Sequence, residues 1–212
     1  MVRDFVLASV IAYLLGSIPF GLILVRMFRG IDVRQTGSGN IGSANVARIA
    51  PGLGLWTLIL DSAKGLAAVL VARAIATHSS SNTAGLKRAG LILGASALFA
   101  VLGHMFSVFL KAKGGKGVAT AMGAFLGITP WAVLVTTVIY VLIYLISHYT
   151  SLASVISAAI FPFICAAFTP ASERSALIPF VALVCLLIIL KHHQNIRRLL
   201  SGTENRLDLK HR

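Results

Sequence analysis

Two short runs hold the side chains best suited to chemistry. Residues 36–48 read TGSGNIGSANVAR. Gly37, Gly39 and Gly42 allow close backbone approach to a ligand, and successive N–H groups in such a loop form a concave anion site. Ser38 and Ser43 add hydroxyl donors, Asn40 and Asn45 amide donors, and Arg48 a two-pronged fork for phosphate. Residues 111–117 read KAKGGKG, with Lys113 and Lys116 set among Gly114, Gly115 and Gly117. That loop leads into an apolar run, and a helix N-terminus there favours anions. His104 lies shortly before it as a ligand-facing donor or a packing residue. Further on, His192 and Asn195 stand one helical turn apart, and Glu204 lies among Arg197, Arg198 and Arg206. Asp61 and Lys64 form an i, i+3 pair inside an apolar run, which makes them either functional or a supporting ion pair.

The shared theme is capture of phosphate. Gly37 to Gly42 is a literal G-x-G-x-x-G, but a dinucleotide site needs a strand before it, and here an apolar helix precedes it. KAKGGKG is not a Walker A loop, because Lys116 is followed by Gly117 instead of Ser or Thr. No acid partners a Ser and a His at a recognisable spacing, and no His/Cys cluster suggests a metal. The expectation is therefore a phosphate-binding site without cofactor or metal.

Elements that could position these residues must be membrane helices. The 212 residues are 57% hydrophobic, with mean hydropathy +0.88, far above the apolar share of a soluble domain. Length predicts one domain spanning residues 1–212. Lysine and arginine number 19 against six acids, a net charge of +13. With those charges in short loops beside apolar runs, lipid headgroups and small anions are better partners than nucleic acid. Cys165 and Cys185 both fall in apolar runs, so no disulfide is expected. The first apolar stretch, Phe5 to Phe28, reads as a retained span, not a cleaved signal.

Further spans are expected at about Leu53–Ala76, Ala89–Leu110, Leu152–Phe168 and Ala176–Leu190, with polar loops at HSSSNTAGLKR (78–88) and TPASERS (169–175). The run from Val118 to Ser147 decides the topology. If it breaks at Thr129-Pro130, where the residue before proline avoids helical geometry, the count is seven. The fourth span is then short, about 18 Å at 1.5 Å per residue. Seven spans place the basic stretches 26–48 and 111–117 and the tail from Lys191 on one face, the cytoplasm, with the N-terminus outside. The expected fold is thus all-α and polytopic, with seven transmembrane helices.

Three blocks then resemble one family: GSGNIG..N..R, GH.FS.FL..KGGKGVAT and H..NI.RLL.GTE, in this order and between spans. The sequence is similar to the PlsY family of bacterial membrane acyltransferases along nearly its whole length. The resemblance implies a seven-helix protein of the bacterial inner membrane that transfers an acyl chain from acyl phosphate to glycerol-3-phosphate. The products are lysophosphatidic acid and inorganic phosphate. It implies site positions Ser38, Gly39, Asn40, Gly42, Asn45 and Arg48 from the first block. The second supplies His104, Lys113, Gly114, Gly115, Lys116 and Gly117, and the third His192, Asn195 and Glu204. Two departures stand out: Ser43-Ala44 replaces the usual Ala-Thr, and Ala112 replaces Phe. None of the six histidines has an acid five positions on, which argues against the acyl-CoA type of glycerolipid acyltransferase. A functional link to the enzyme that makes acyl phosphate is expected.

Two substrates carrying phosphate need several cations to offset their repulsion. That work falls to Arg48, Lys113 and Lys116, with Ser38 and the glycine backbone holding phosphate oxygens. His192 and Asn195 orient glycerol-3-phosphate, the hydroxyl proton passing to His192 or a substrate phosphate, and Glu204 holds the tail. The alternatives are a transporter of a phosphorylated molecule and a lipid-binding scaffold. A transporter often shows repeated halves and a midplane site, and this chain shows no internal repeat.

Overall fold

The structure, a computed structural model, describes residues 2–76 and 83–207. Ten α-helices are present among them, and no strand. The first apolar stretch is two helices, α1 (Val2–Ser17) and α2 (Phe20–Arg29). Together they make one membrane-length stretch, Val2–Arg29, in agreement with the span expected at residues 5–28, and Pro19, which has no N–H to continue the ladder, divides it. At the break the carbonyl of Ile18 accepts from Lys64 Nζ at 2.7 Å and from Phe20 N–H at 3.2 Å. α2 stops at Gly30, whose left-handed φ of 67° closes a bond back to Arg26.

A short helix, α3 (Ser43–Ile49), follows the glycine-rich loop, and α4 (Pro51–Ala76) and α5 (Thr83–Met105) are the long central helices. The loop expected at 78–88 lies partly outside the described residues; from Thr83 onward it is already helix. Arg88, paired with Asp4 of α1, lets that polar turn pack on a neighbour. The predicted break at Thr129-Pro130 is present, giving α6 (Val118–Leu126) and α7 (Pro130–Ser147). α8 (Thr150–Phe168) and α9 (Ala171–Lys191) are separated only by Thr169 and Pro170, so most of TPASERS is the first turn of α9 and not a loop. α10 (His193–Leu200) closes the described chain before residues 201–207.

Six stretches are long and apolar enough to cross a membrane: Val2–Arg29, Pro51–Ala76, Ala84–Leu110, Pro130–Ser147, Thr150–Phe168 and Ala171–Lys191. α6 has nine residues, about 13 Å, and is held by close packing. A methyl added at Gly65 of α4 would lie 2.1 Å from Thr120 O, and one at Gly123 of α6 would lie 1.8 Å from Ser62 O. Small residues let helix backbones approach where no hydrophobic force drives association. The main core joins α5, α6, α8 and α9 through Val101, Met105, Phe125, Phe161, Val181 and Val184. Cys165 and Cys185 are buried free thiols.

Candidate active site

The loop before α3 is wound around one side chain. Asn45, 2% exposed, directs its amide at the carbonyls of Val33 (3.1 Å), Thr36 (3.1 Å) and Asn40 (2.8 Å). Its Oδ1 accepts from the N–H of Ser38 at 2.9 Å. Gly39 N–H donates to Thr36 O, and Gly42 N–H to Asn40 Oδ1 at 2.8 Å. This corrects two expectations. The N–H groups of Ser38, Gly39 and Gly42 are used inside the loop, so they do not form an open nest, and Asn45 is a staple, not a donor to a ligand. Gly37 is required twice over: its φ is +53°, and a methyl there would lie 2.3 Å from Asn45 Oδ1. What the loop presents outward is Ser38, Asn40, Ser43 and Arg48, all at one cavity.

Glycine serves differently in the second loop. Gly114 and Gly115 donate to the carbonyls of Met105 (3.1 Å) and His104 (2.9 Å). A methyl at Gly114 would fall 2.0 Å from His104 O, and one at Gly115 2.1 Å from His104 Nε2. Both residues exist to dock the loop on the end of α5, and neither lines the cavity. Lys111 and Ala112 take left-handed φ values of 51° and 62°. The turn leaves Lys113 exposed and away from the cavity, while Lys116 lines it. Of the two lysines expected at the site, the structure brings Lys116 to the cavity and leaves Lys113 off its lining.

The tail supplies the third wall. His192 sits between α9 and α10, 3% exposed, and its Nδ1 meets Ile188 O at 2.8 Å. A carbonyl only accepts, so Nδ1 carries the proton and Nε2 presents a lone pair. Burial, with nearby Lys116 adding, holds the imidazole down to about 4, so the ring is neutral at pH 7. Asn195 bridges Lys116 Nζ, through Oδ1, to Glu204, through Nδ2. Glu204 also accepts from Ser151 Oγ at 2.8 Å and Arg198 Nε at 2.6 Å. It is thus a hub for the tail, and the bonds it gathers hold its carboxyl below the ordinary glutamate value against the opposing effect of burial. Burial lowers Lys116 to about 8, Glu204 opposing the shift and Arg198 and Arg48 adding to it.

These walls enclose a cavity of about 540 Å³. Ser151, Ser154, Ser157 and Phe161 of α8 line it in sequence. Ten residues of helix carry the lining about 15 Å, from the Glu204 hub to the Phe125–Phe161 ring pair, whose centroids are 4.9 Å apart. One end is cationic, with Arg48, Lys116 and Arg198, and the other is apolar, with Phe125, Val133, Phe161, Cys185 and Ile188. Such a cavity fits a phosphorylated head joined to an alkyl chain. Gly39, Lys64, Lys113, Gly114 and Gly115 lie off its lining; Ser38, Asn40, Gly42, Ser43, Asn45, Arg48, Asp61, His104, Lys116, Gly117, His192, Asn195 and Glu204 are on it.

The sequence model of the glycerol-3-phosphate acyltransferase family matches residues 6–202. The chain belongs to this family, the PlsY acyltransferases. The PlsY-family relative from Geotalea daltonii is 46% identical over 195 residues, 92% of this chain and 93% of its own. That from Geobacter sulfurreducens is 43% identical over 207 residues, 97% of this chain and 98% of its own. A crystal structure of PlsY, an integral membrane glycerol 3-phosphate acyltransferase in its glycerol 3-phosphate form, superposes with a TM-score of 0.83 at 34% identity, covering 96% of both chains. Its lysophosphatidic acid form superposes with a TM-score of 0.80. The chain is accordingly an integral membrane glycerol-3-phosphate acyltransferase.

In this PlsY-family chain, sequence reasoning passed over Arg198 and the α8 serines. For Arg198 a signal existed: positions 192, 195 and 198 recur every three residues on one helix face. Ser151, Ser154 and Ser157 share the same period inside an apolar run, where hydroxyls commonly bond their own helix.

Proposed function

We propose that this acyltransferase moves an acyl chain from acyl phosphate to glycerol-3-phosphate, at the inner membrane of a bacterium, in one direct step. The observation that carries the reading is the convergence of Arg48, Lys116 and Arg198 at one end of a cavity whose other end is apolar. The cations hold the phosphates of both substrates, Ser38 contacts a phosphate oxygen, and the acyl chain runs along α8 toward Phe125 and Phe161. The glycerol hydroxyl oxygen attacks the acyl carbonyl carbon. An ester bond forms, the carbonyl–oxygen bond to phosphate breaks, and inorganic phosphate leaves with the hydroxyl proton. Positioning supplies much of the rate, because aligned reactants gain a large effective molarity. His192 Nε2, neutral and unprotonated, orients the hydroxyl with Asn195.

The same convergence supports seven crossings with the N-terminus outside. The loops after α2 and α5 and the tail after α9 reach one cavity, so they share a side, and that requires the short α6 to count as a crossing. Contacts at both faces agree: Leu207 N–H donates to His148 O beyond α7, while Arg73 near the end of α4 bonds Gly127 O beyond α6.

The test supplies purified protein with acyl phosphate and labelled glycerol-3-phosphate. Labelled lysophosphatidic acid and stoichiometric phosphate are expected, with no product from acyl-CoA. An acyl group trapped on Ser38 overturns direct transfer. Uptake of label into sealed vesicles without product overturns the enzyme reading.

A further inference from the structure

Three buried ionisable groups in α4 and α5 have no task in the reaction as proposed. Asp61 Oδ1 lies 2.7 Å from Lys64 Nζ and 3.7 Å from His104 Nδ1. All three residues are below 5% exposure. Lys64 is fully employed, since it also bonds Ile18 O at the break between α1 and α2. Its ammonium pairs with Asp61 Oδ1, while His104 Nδ1 lies buried without a hydrogen-bond partner of its own. The two atoms face each other across the 3.7 Å gap. Asp61 and His104 line the cavity; Lys64 does not.

The other end of the imidazole meets the lysine loop. Gly115 N–H donates to His104 O, and only the missing side chain of Gly115 leaves room for Nε2. Lys116 is the next residue. The contacts form a chain from the carboxylate through the ring to the loop that presents the ammonium.

We infer that Asp61 is a positioning residue for Lys116: it accepts the Nδ1 proton of His104 as a small ring movement closes the gap, and so fixes the ring against which Gly115, the residue before Lys116, is packed. This rests on the proposed role of Lys116 in holding phosphate. The competing role is simple neutralisation of Lys64, and the two separate in the double variant Asp61→Asn/Lys64→Met, which removes both charges of the pair together.

Melting temperature, KM and kcat are measured with glycerol-3-phosphate. A double variant that melts near the wild type yet loses on the order of a hundredfold in kcat/KM, mainly through KM, supports positioning. Little further loss when His104→Gln is added supports it too. Wild-type kcat/KM in the double variant overturns it, as do losses that multiply with His104→Gln. Should the double variant not fold, nitrogen-15 spectra of histidine-labelled wild-type protein decide, with the His104 signal identified by its disappearance in His104→Gln. A protonated Nδ1 supports the pairing with Asp61, and a bare Nδ1 overturns it. The spectrum needs no turnover, so wild-type protein that makes no lysophosphatidic acid would sink the acyl-transfer reading alone.

Discussion

The two glycine-rich loops look interchangeable on paper and are built on opposite principles. In residues 33–45 the chain closes on itself, and its organiser is a side chain, Asn45, satisfied entirely by backbone of that segment. In residues 111–117 the loop has no internal organiser and is docked on another element, the end of α5, through Gly114 and Gly115. The first can keep its shape if its surroundings shift; the second takes its position from His104. Glycine content alone therefore says little about anion binding, since the N–H groups of Gly39, Gly42, Gly114 and Gly115 are spent on protein carbonyls or side chains. The charge on the ligand must be met by side chains that the loops aim.

The comparison is sharpened most by deleting one aimed cation. Lys116→Ala is expected to lower kcat by about 10²–10³, the scale for removing one preorganised donor from a reacting centre, while melting stays close to wild type. Equal melting and equal turnover would show that the docked loop aims nothing of consequence.

Next comes the organiser of the first loop. Asn45→Ala removes the side-chain partner of the Ser38 N–H and of Asn40 O, while Val33 O keeps Thr36 and Thr36 O keeps Gly39 N–H; a net loss of about 3 kcal/mol is expected, since each buried polar group left unpaired costs roughly 1–3 kcal/mol. Asn45→Asp keeps the acceptor for Ser38 but loses the amide donors, so it should fall between the alanine variant and the wild type in chemical denaturation. If both variants melt like the wild type, the loop is held from outside, as the second one is, and the contrast disappears.

A pH profile probes the cation that the second loop aims. kcat/KM reports the free enzyme, in which Lys116 titrates near 8 because it is buried. Below that value the ammonium is charged and binds phosphate; above it the charge is lost. kcat/KM should therefore fall as pH rises through about 8, approaching tenfold per unit. Lys116→Arg should move that limb upward, because a guanidinium stays charged. His192, held at about 4, contributes no inflection between pH 5 and 7. A limb that survives unchanged in Lys116→Arg would assign it to another group.

How much of this could be read from residues alone follows the same division. Local rules worked where a single residue dominates: Pro130 broke the long apolar run as expected. Pro19 divides the first span in the same way, and lipid tolerates that break because another group, here Lys64, pairs the Ile18 carbonyl. The extent of α9 was missed at its start because Ser172, Glu173 and Arg174 look like a loop but suit a first turn after Pro170. In the site, residue types were legible and directions were not. Asn45 carries donors, but whether they face a ligand or the loop depends on φ at Gly37 and Gly39. Arg198 was indistinguishable from Arg197 by composition, and only the helix period separates the cavity-facing one from the exposed one.

The smallest expected effect is the sharpest check on direction. Lys113 and Lys116 are three residues apart, carry the same charge and flank the same glycines, so sequence gives them equal claims on phosphate. The backbone separates them: left-handed turns at Lys111 and Ala112 leave Lys113 exposed, and Gly117 at φ +83° carries the chain from Lys116 into α6. An exposed cation is screened by salt over about 8–10 Å, so Lys113→Ala should change kcat/KM less than about twofold, and any change should vanish as ionic strength is raised. A loss comparable to that of Lys116→Ala, persisting at high salt, would mean that the loop swings Lys113 inward when substrate binds. In that case the docking of Gly114 and Gly115 on His104 would be one of two positions rather than a fixed seat.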